Sequence, residues 1–138
     1  MSQESEIRAG YRALSDGDLD AFLETLDPDI ELLTSGAFPD FEPSYRGYDG
    51  VRRFWAAIRG PWERFHLDPE RIVEGEACAA VAVRFRARGK GSGVSTELHQ
   101  GHALWFRHGR TVKVSTHQSF EQALEALGLS EQDAHAEP

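Results

Sequence analysis

The sequence predicts a single α+β domain in which short helices come first and pack inside a strongly curled sheet. Three observations carry that prediction. Up to Gly60 the apolar residues recur at helical spacing, whereas from Phe65 to Phe120 the dominant period is two, that of a strand. A length of 138 residues with 40% hydrophobic content suffices for one buried core and not for two independent ones. Helices enclosed by a curled sheet leave a hollow, so the order of elements already points to a pocket.

Ile7, Tyr11 and Leu14 share one face of the first helix, and Gly17-Asp18 reads as its end and the N-cap of the next. That second helix is short, with Leu19, Phe22, Leu23 and Leu26 as apolar positions and Asp27-Pro28 as its stop. A strand from Ile30 to Thr34 follows. From Ser35 to Gly47, breakers (Gly36, Pro39, Pro43, Gly47) alternate with aromatics (Phe38, Phe41, Tyr45), which predicts an irregular lid or rim. Asp49 then caps a third helix whose inward stripe is Val51, Phe54, Trp55 and Ile58, closed by Gly60-Pro61.

In the strand region, Val81, Val83, Phe85 and Ala87 lie on one face and Arg84, Arg86 and Arg88 on the other. Gly89 to Gly93 turns the chain into a strand where Leu98, Gln100, His102, Leu104 and Phe106 share a face, with His99, Trp105 and Arg107 opposite. A three-residue loop His108-Gly109-Arg110 would pair Phe106 with Val112, Leu104 with Val114 and His102 with Thr116. A last amphipathic helix (Ala123, Leu124, Leu127) ends at Gly128. The domain is expected to span residues 1–129, and 130–138 to form a disordered tail.

A net charge of −8, with no Lys/Arg block longer than a pair, repels phosphate backbones and anionic lipid, so neither nucleic acid nor a membrane is expected as a partner. The polar start and the absence of a long apolar run point to a cytoplasmic protein. Cys78 is the single cysteine and reads as a small core side chain. His99 and His102 are three apart on a strand and so face opposite ways, which argues against a metal pair. Gly89 to Gly93 has no helix opening behind it to make a phosphate cradle. No metal or cofactor is expected.

The runs YRALSDGDLDA (Tyr11 to Ala21), LDPDIE (Leu26 to Glu31), YRGYDGVRRFW (Tyr45 to Trp55), RGKGSGV (Arg88 to Val94) and ALEALGL (Ala123 to Leu129) together resemble SnoaL-like proteins of the nuclear transport factor 2 superfamily. The resemblance runs from about Ile7 to Leu129. It implies a cone of curved antiparallel sheet wrapped around three N-terminal helices, a cystatin-like α+β barrel, with a short C-terminal helix. The superfamily includes ketosteroid isomerase, polyketide cyclases, limonene epoxide hydrolase, dehydratases and members with no known activity, so the fold does not supply the function.

Carried over residue by residue, the isomerase's tyrosine donor falls on Gly10, one step from Tyr11, and its aspartate base falls near Thr34. Its second oxyanion donor falls close to His102. Where relatives read Tyr-x-Asp-Arg before the terminal helix, this chain has His117, Ser119 and Phe120, and no carboxylate-arginine-carboxylate set of the epoxide hydrolase type occurs at matching positions.

His102 is the first catalytic candidate, since the strand period directs it into the cone where burial tunes an imidazole; the competing reading is a core histidine bonded to a neighbour. Asp40, among the lid aromatics, is the second, as a base with a raised pKa or as a plain turn residue. Tyr11, Tyr45, Trp55, Gln100, Thr116 and Gln118 are the candidate ligand contacts, Tyr45 with Asp40 forming a gate. Arg84, Arg86 and Arg88, with Trp105 beside them, mark the convex sheet face as the surface of a homodimer. The expected activity is binding of a small apolar or polyketide-like molecule with cofactor-free acid-base chemistry of a cyclase, isomerase or dehydratase type. The alternative is a non-catalytic ligand-binding or dimerisation domain.

Overall fold

The structure is a computed structural model and describes residues 2–34 and 41–130. Helix α1 (Glu4–Asp16) ends at Gly17, whose φ of 76° is the left-handed conformation glycine adopts without strain. Asp18 then caps α2 (Leu19–Glu24) by accepting the Ala21 N–H. Strand β1 spans Leu26–Leu33 and so starts before Ile30. Pro28 is tolerated there because its pairing is interrupted between Leu26 and Glu31, where no ladder N–H is required of it.

Part of the predicted irregular rim is in fact a strand. β2 (Ser44–Arg46) pairs antiparallel with β1, placing Tyr45 opposite Leu32. Helix α3 (Gly47–Arg59) begins two residues before Asp49, whose carboxylate holds Arg52 at 2.8 Å instead of capping the helix. Residues 35–40 of the rim, Phe38 and Asp40 included, and residues 131–138 of the expected tail lie outside the described residues.

Three long strands, β3 (Trp62–Gly75), β4 (Cys78–Gly89) and β5 (Ser95–Arg107), meander into β6 (Arg110–His117), and the sheet order is β2-β1-β6-β5-β4-β3. Every pairing is antiparallel except β1 with β6. Three hairpin reversals after β3 bring β6 back alongside β1 in the same sense. The buried Val81, Val83, Phe85 and Leu104 on the concave face pack with Ile7, Leu14, Phe22 and Val51 of the helices, which makes the main core.

The β5–β6 turn departs from the three-residue loop. His108 (φ 53°) and Gly109 (φ 77°) form a two-residue turn, Arg107 pairs with Arg110 and Phe106 with Thr111. Val112 is then the extra residue of a β-bulge, which restores the expected pairs Leu104 with Val114 and His102 with Thr116.

Helix α4 (Phe120–Leu127) is capped by Ser119 and lies on the convex face, where Ala123 and Leu124 pack with Ala80, Ala103 and Val73. Gly101 permits this crossing, because a Cβ there would stand 2.1 Å from the Ser119 carbonyl oxygen. On the same face Arg86 bonds Asp68 at 2.7 Å and Arg84 pairs with Glu97. The arginine stripe therefore has acidic partners within its own sheet. Among the described residues no helix is long and apolar enough to cross a membrane.

Candidate functional site

Between the concave face and the helices lies a cavity of about 350 Å³. Its wall is apolar over most of its extent: Ile7 and Leu14 of α1, Phe54 and Ile58 of α3, and Phe85, Leu104 and Val114 of the sheet. One cluster of polar side chains joins α1 to β5. His102, 7% exposed, lines the cavity, and its Nδ1 lies 2.7 Å from the Tyr11 hydroxyl with the two rings stacked at 20°. Its Nε2 is 3.3 Å from the Gln100 Oε1.

The two contacts fix a direction. Gln100 Oε1 only accepts, so Nε2 carries the ring proton, Nδ1 is left with its lone pair, and the Tyr11 O–H donates to it. The chain runs Tyr11 O–H to His102, then His102 N–H to Gln100, and it leaves the Gln100 amide N–H groups for another acceptor. Burial enforces neutrality along it. Burial pushes the imidazole pKa down to about 4, with repulsion from the protonated form of His117 as a smaller second cause, and burial raises the phenol well above its ordinary value.

Of the sequence candidates, the structure brings Tyr11, Gln100, His102 and Thr116 together on the cavity wall. Thr116 stands opposite His102, with its hydroxyl toward the Leu33 carbonyl at 3.4 Å. Tyr45 is not at a rim. It is 2% exposed and edge-on to Phe54, and its hydroxyl accepts the Glu42 N–H, because pairing as a β2 residue turns its ring into the core. Trp55 packs between Phe22 and the Arg59 guanidinium behind the cavity wall. Gln118 lies beyond the end of β6, in a shallow groove against α4, and does not face Gln100 across the cavity. Asp40 falls outside the described residues. His99 bonds Glu70 at 3.2 Å on the outer face.

Sequence reasoning missed Glu6, Thr25, Thr34 and Thr111, which also line the cavity. Glu6 stands one turn before Gly10 on α1, at the edge of the Ile7, Tyr11 and Leu14 stripe, so the α1 periodicity carried only a faint signal for it. The bond from Tyr11 to His102 spans 91 residues and left no local signal.

The model of the SnoaL-like domain family matches residues 7–114. The chain belongs to that family. No functionally curated protein matches the sequence. Among solved structures, a nuclear transport factor 2-like protein of unknown function from Burkholderia pseudomallei is 24% identical, with a TM-score of 0.76 over 91% of this chain and 97% of that one. TerC, co-crystallised with polyporic acid, is 19% identical, also with a TM-score of 0.76, over 89% and 98% of the two chains. IdmH of Streptomyces antibioticus, whose assignment as a polyketide cyclase is itself provisional, is 21% identical with a TM-score of 0.73 over 94% and 100%. At these identities the likeness establishes that the SnoaL-like domain has the fold of its superfamily.

Proposed function

We propose that this SnoaL-like domain binds a small, mainly apolar organic molecule bearing a carbonyl, of polyketide-like type, and promotes cofactor-free proton transfer on it as a cyclase, isomerase or dehydratase does. The observation that carries the reading is the buried Tyr11–His102–Gln100 chain set into the wall of an otherwise apolar cavity. An imidazole of pKa about 4 is a weak base at neutral pH, so His102 acts as a neutral hydrogen-bond donor and as the group that holds its neighbours. The Gln100 amide is the donor offered to the ligand carbonyl, and Asp40 is retained as a proposed base. A thermal-shift and affinity screen of polyketide-like and terpenoid compounds tests this, with Tyr11→Phe and His102→Ala alongside the parent. The reading fails if no compound binds, or if both variants bind the best compound unchanged.

A second reading, a binding domain without turnover, is favoured by one observation: both ring nitrogens of His102 are already engaged. It is separated from the first by product analysis, since a bound compound recovered unaltered after long incubation excludes turnover of that compound. We further propose a cytoplasmic homodimer through the convex sheet face. Trp105, half-buried with the Lys113 ammonium 4.8 Å above its ring, supports it. Loss of the dimer in Trp105→Glu, read by sedimentation, is the expected result.

A further inference from the structure

The charges around the cavity limit what can occupy it. Among the described residues that line it, none is lysine or arginine, and the single carboxylate is Glu6. Glu6 both lines the cavity and is exposed, in the first turn of α1. Its neighbour Glu4 is held by Arg8 at 3.1 Å, while Glu6 has no ion-pair or hydrogen-bond partner among the described residues. Two further wall groups present lone pairs. Thr25 and Thr34 donate their hydroxyl protons to the carbonyls of Phe22 and Glu42, each at 2.7 Å. Two guanidinium groups close to the helices and β5 are tied elsewhere, Arg59 to the Leu14 carbonyl and Arg107 to Asp27 and Asp29. Among the described residues the one charge on the cavity wall is therefore negative, on a chain whose net charge is −8.

We infer that the cavity selects uncharged or cationic ligands against carboxylates, and that Glu6 sets this selection by repelling anions and receiving an amine or another hydrogen-bond donor at the cavity wall. The inference rests on the cavity being the ligand site and names the charge class of what enters it. A carboxylate held near Glu6 would keep two like charges together at a partly hydrated site, which predicts a penalty of about fivefold in affinity at low salt, shrinking as salt screens the pair.

Three probes of one shape test it: 2-acetylnaphthalene, 6-acetyl-2-naphthoate and 6-(aminomethyl)-2-acetylnaphthalene. Affinities are measured for the full chain, Glu6→Gln and the control Glu4→Gln at low and high salt. The expected result is that the naphthoate binds several-fold more weakly than the neutral ketone and the amine at least as well, with the gap closing in Glu6→Gln and in high salt but not in Glu4→Gln. Equal affinities for all three probes, or a gap that survives Glu6→Gln, overturns the inference and leaves the cavity reading intact. If none of the probes binds either the parent or the variants, the cavity reading fails and takes the inference with it.

Discussion

The Tyr11 hydroxyl and the His102 Nδ1 meet at 2.7 Å inside the fold, joining the first helix to the fifth strand by the cavity's main polar contact. Removing the hydroxyl leaves a buried ring nitrogen without a donor. Tyr11→Phe should therefore cost about 1–3 kcal/mol of stability in urea melts and weaken binding of carbonyl ligands. An unchanged melt would mean the contact is not made in solution.

His102 also makes stability depend on pH. Its folded pKa of about 4 lies below the ordinary 6.5, so between those values the unfolded chain binds a proton that the folded one refuses. Stability from this group is full above about pH 6.5 and is lost as pH falls toward 4, by on the order of 3 kcal/mol. Burial lowers the pKa of His117 too and adds to the same slope, whereas Asp27, held low by Arg107, acts below its own ordinary range. His102→Gln should flatten most of the slope between pH 6.5 and 4.5 in urea titrations; an equal slope in the variant would refute the assignment.

Gly101 should not accept a side chain. A Cβ at that position meets the Ser119 carbonyl at 2.1 Å, a clash of backbone that no rotamer relieves. Gly101→Ala should lift α4 from the sheet at a cost of about 1–3 kcal/mol or more, seen as a lowered melting temperature and faster hydrogen exchange in 120–127. Normal exchange there would show that the helix does not cross at Gly101.

Arg59 ties α3 to the end of α1. It donates to the Leu14 carbonyl at 2.5 Å and lies over the Trp55 and Phe65 rings at 5.5 and 5.4 Å. Arg59→Ala should lose about 1–3 kcal/mol and, by loosening α1, weaken ligand binding as well. Stability lost with affinity intact would confine Arg59 to holding the fold.

His108 occupies the first turn position with φ at 53°, a conformation asparagine tolerates better. His108→Asn should stabilise the protein slightly, read as a small rise in melting temperature. A fall would indicate a role for the imidazole that the turn does not explain.

The fold was largely legible because its helices and strands bury one face each. The 3.6 and 2 periods placed Ile7, Tyr11 and Leu14 on one wall and Gln100, His102 and Leu104 on another, and the apolar register constrained β5 against β6 strongly enough to survive an error in the turn. A two-residue turn with a bulge at Val112 and a three-residue loop give the same pairs beyond Trp105, so hydrophobic matching alone does not tell them apart. Tyr45 was misplaced because a three-residue strand among prolines and glycines has too few residues to display a period. The contact between Tyr11 and His102 depends on how α1 seats against the sheet, which is a property of the packed whole.

The parallel seam between β1 and β6 sets an order of assembly. The first strand emerges early during synthesis, yet its partner on that side begins only at Arg110, so its inner edge stays open until the chain has passed that residue. A truncation before Arg110 would bare two backbone edges at once, one on β1 and one on β5, each a template for association with other chains.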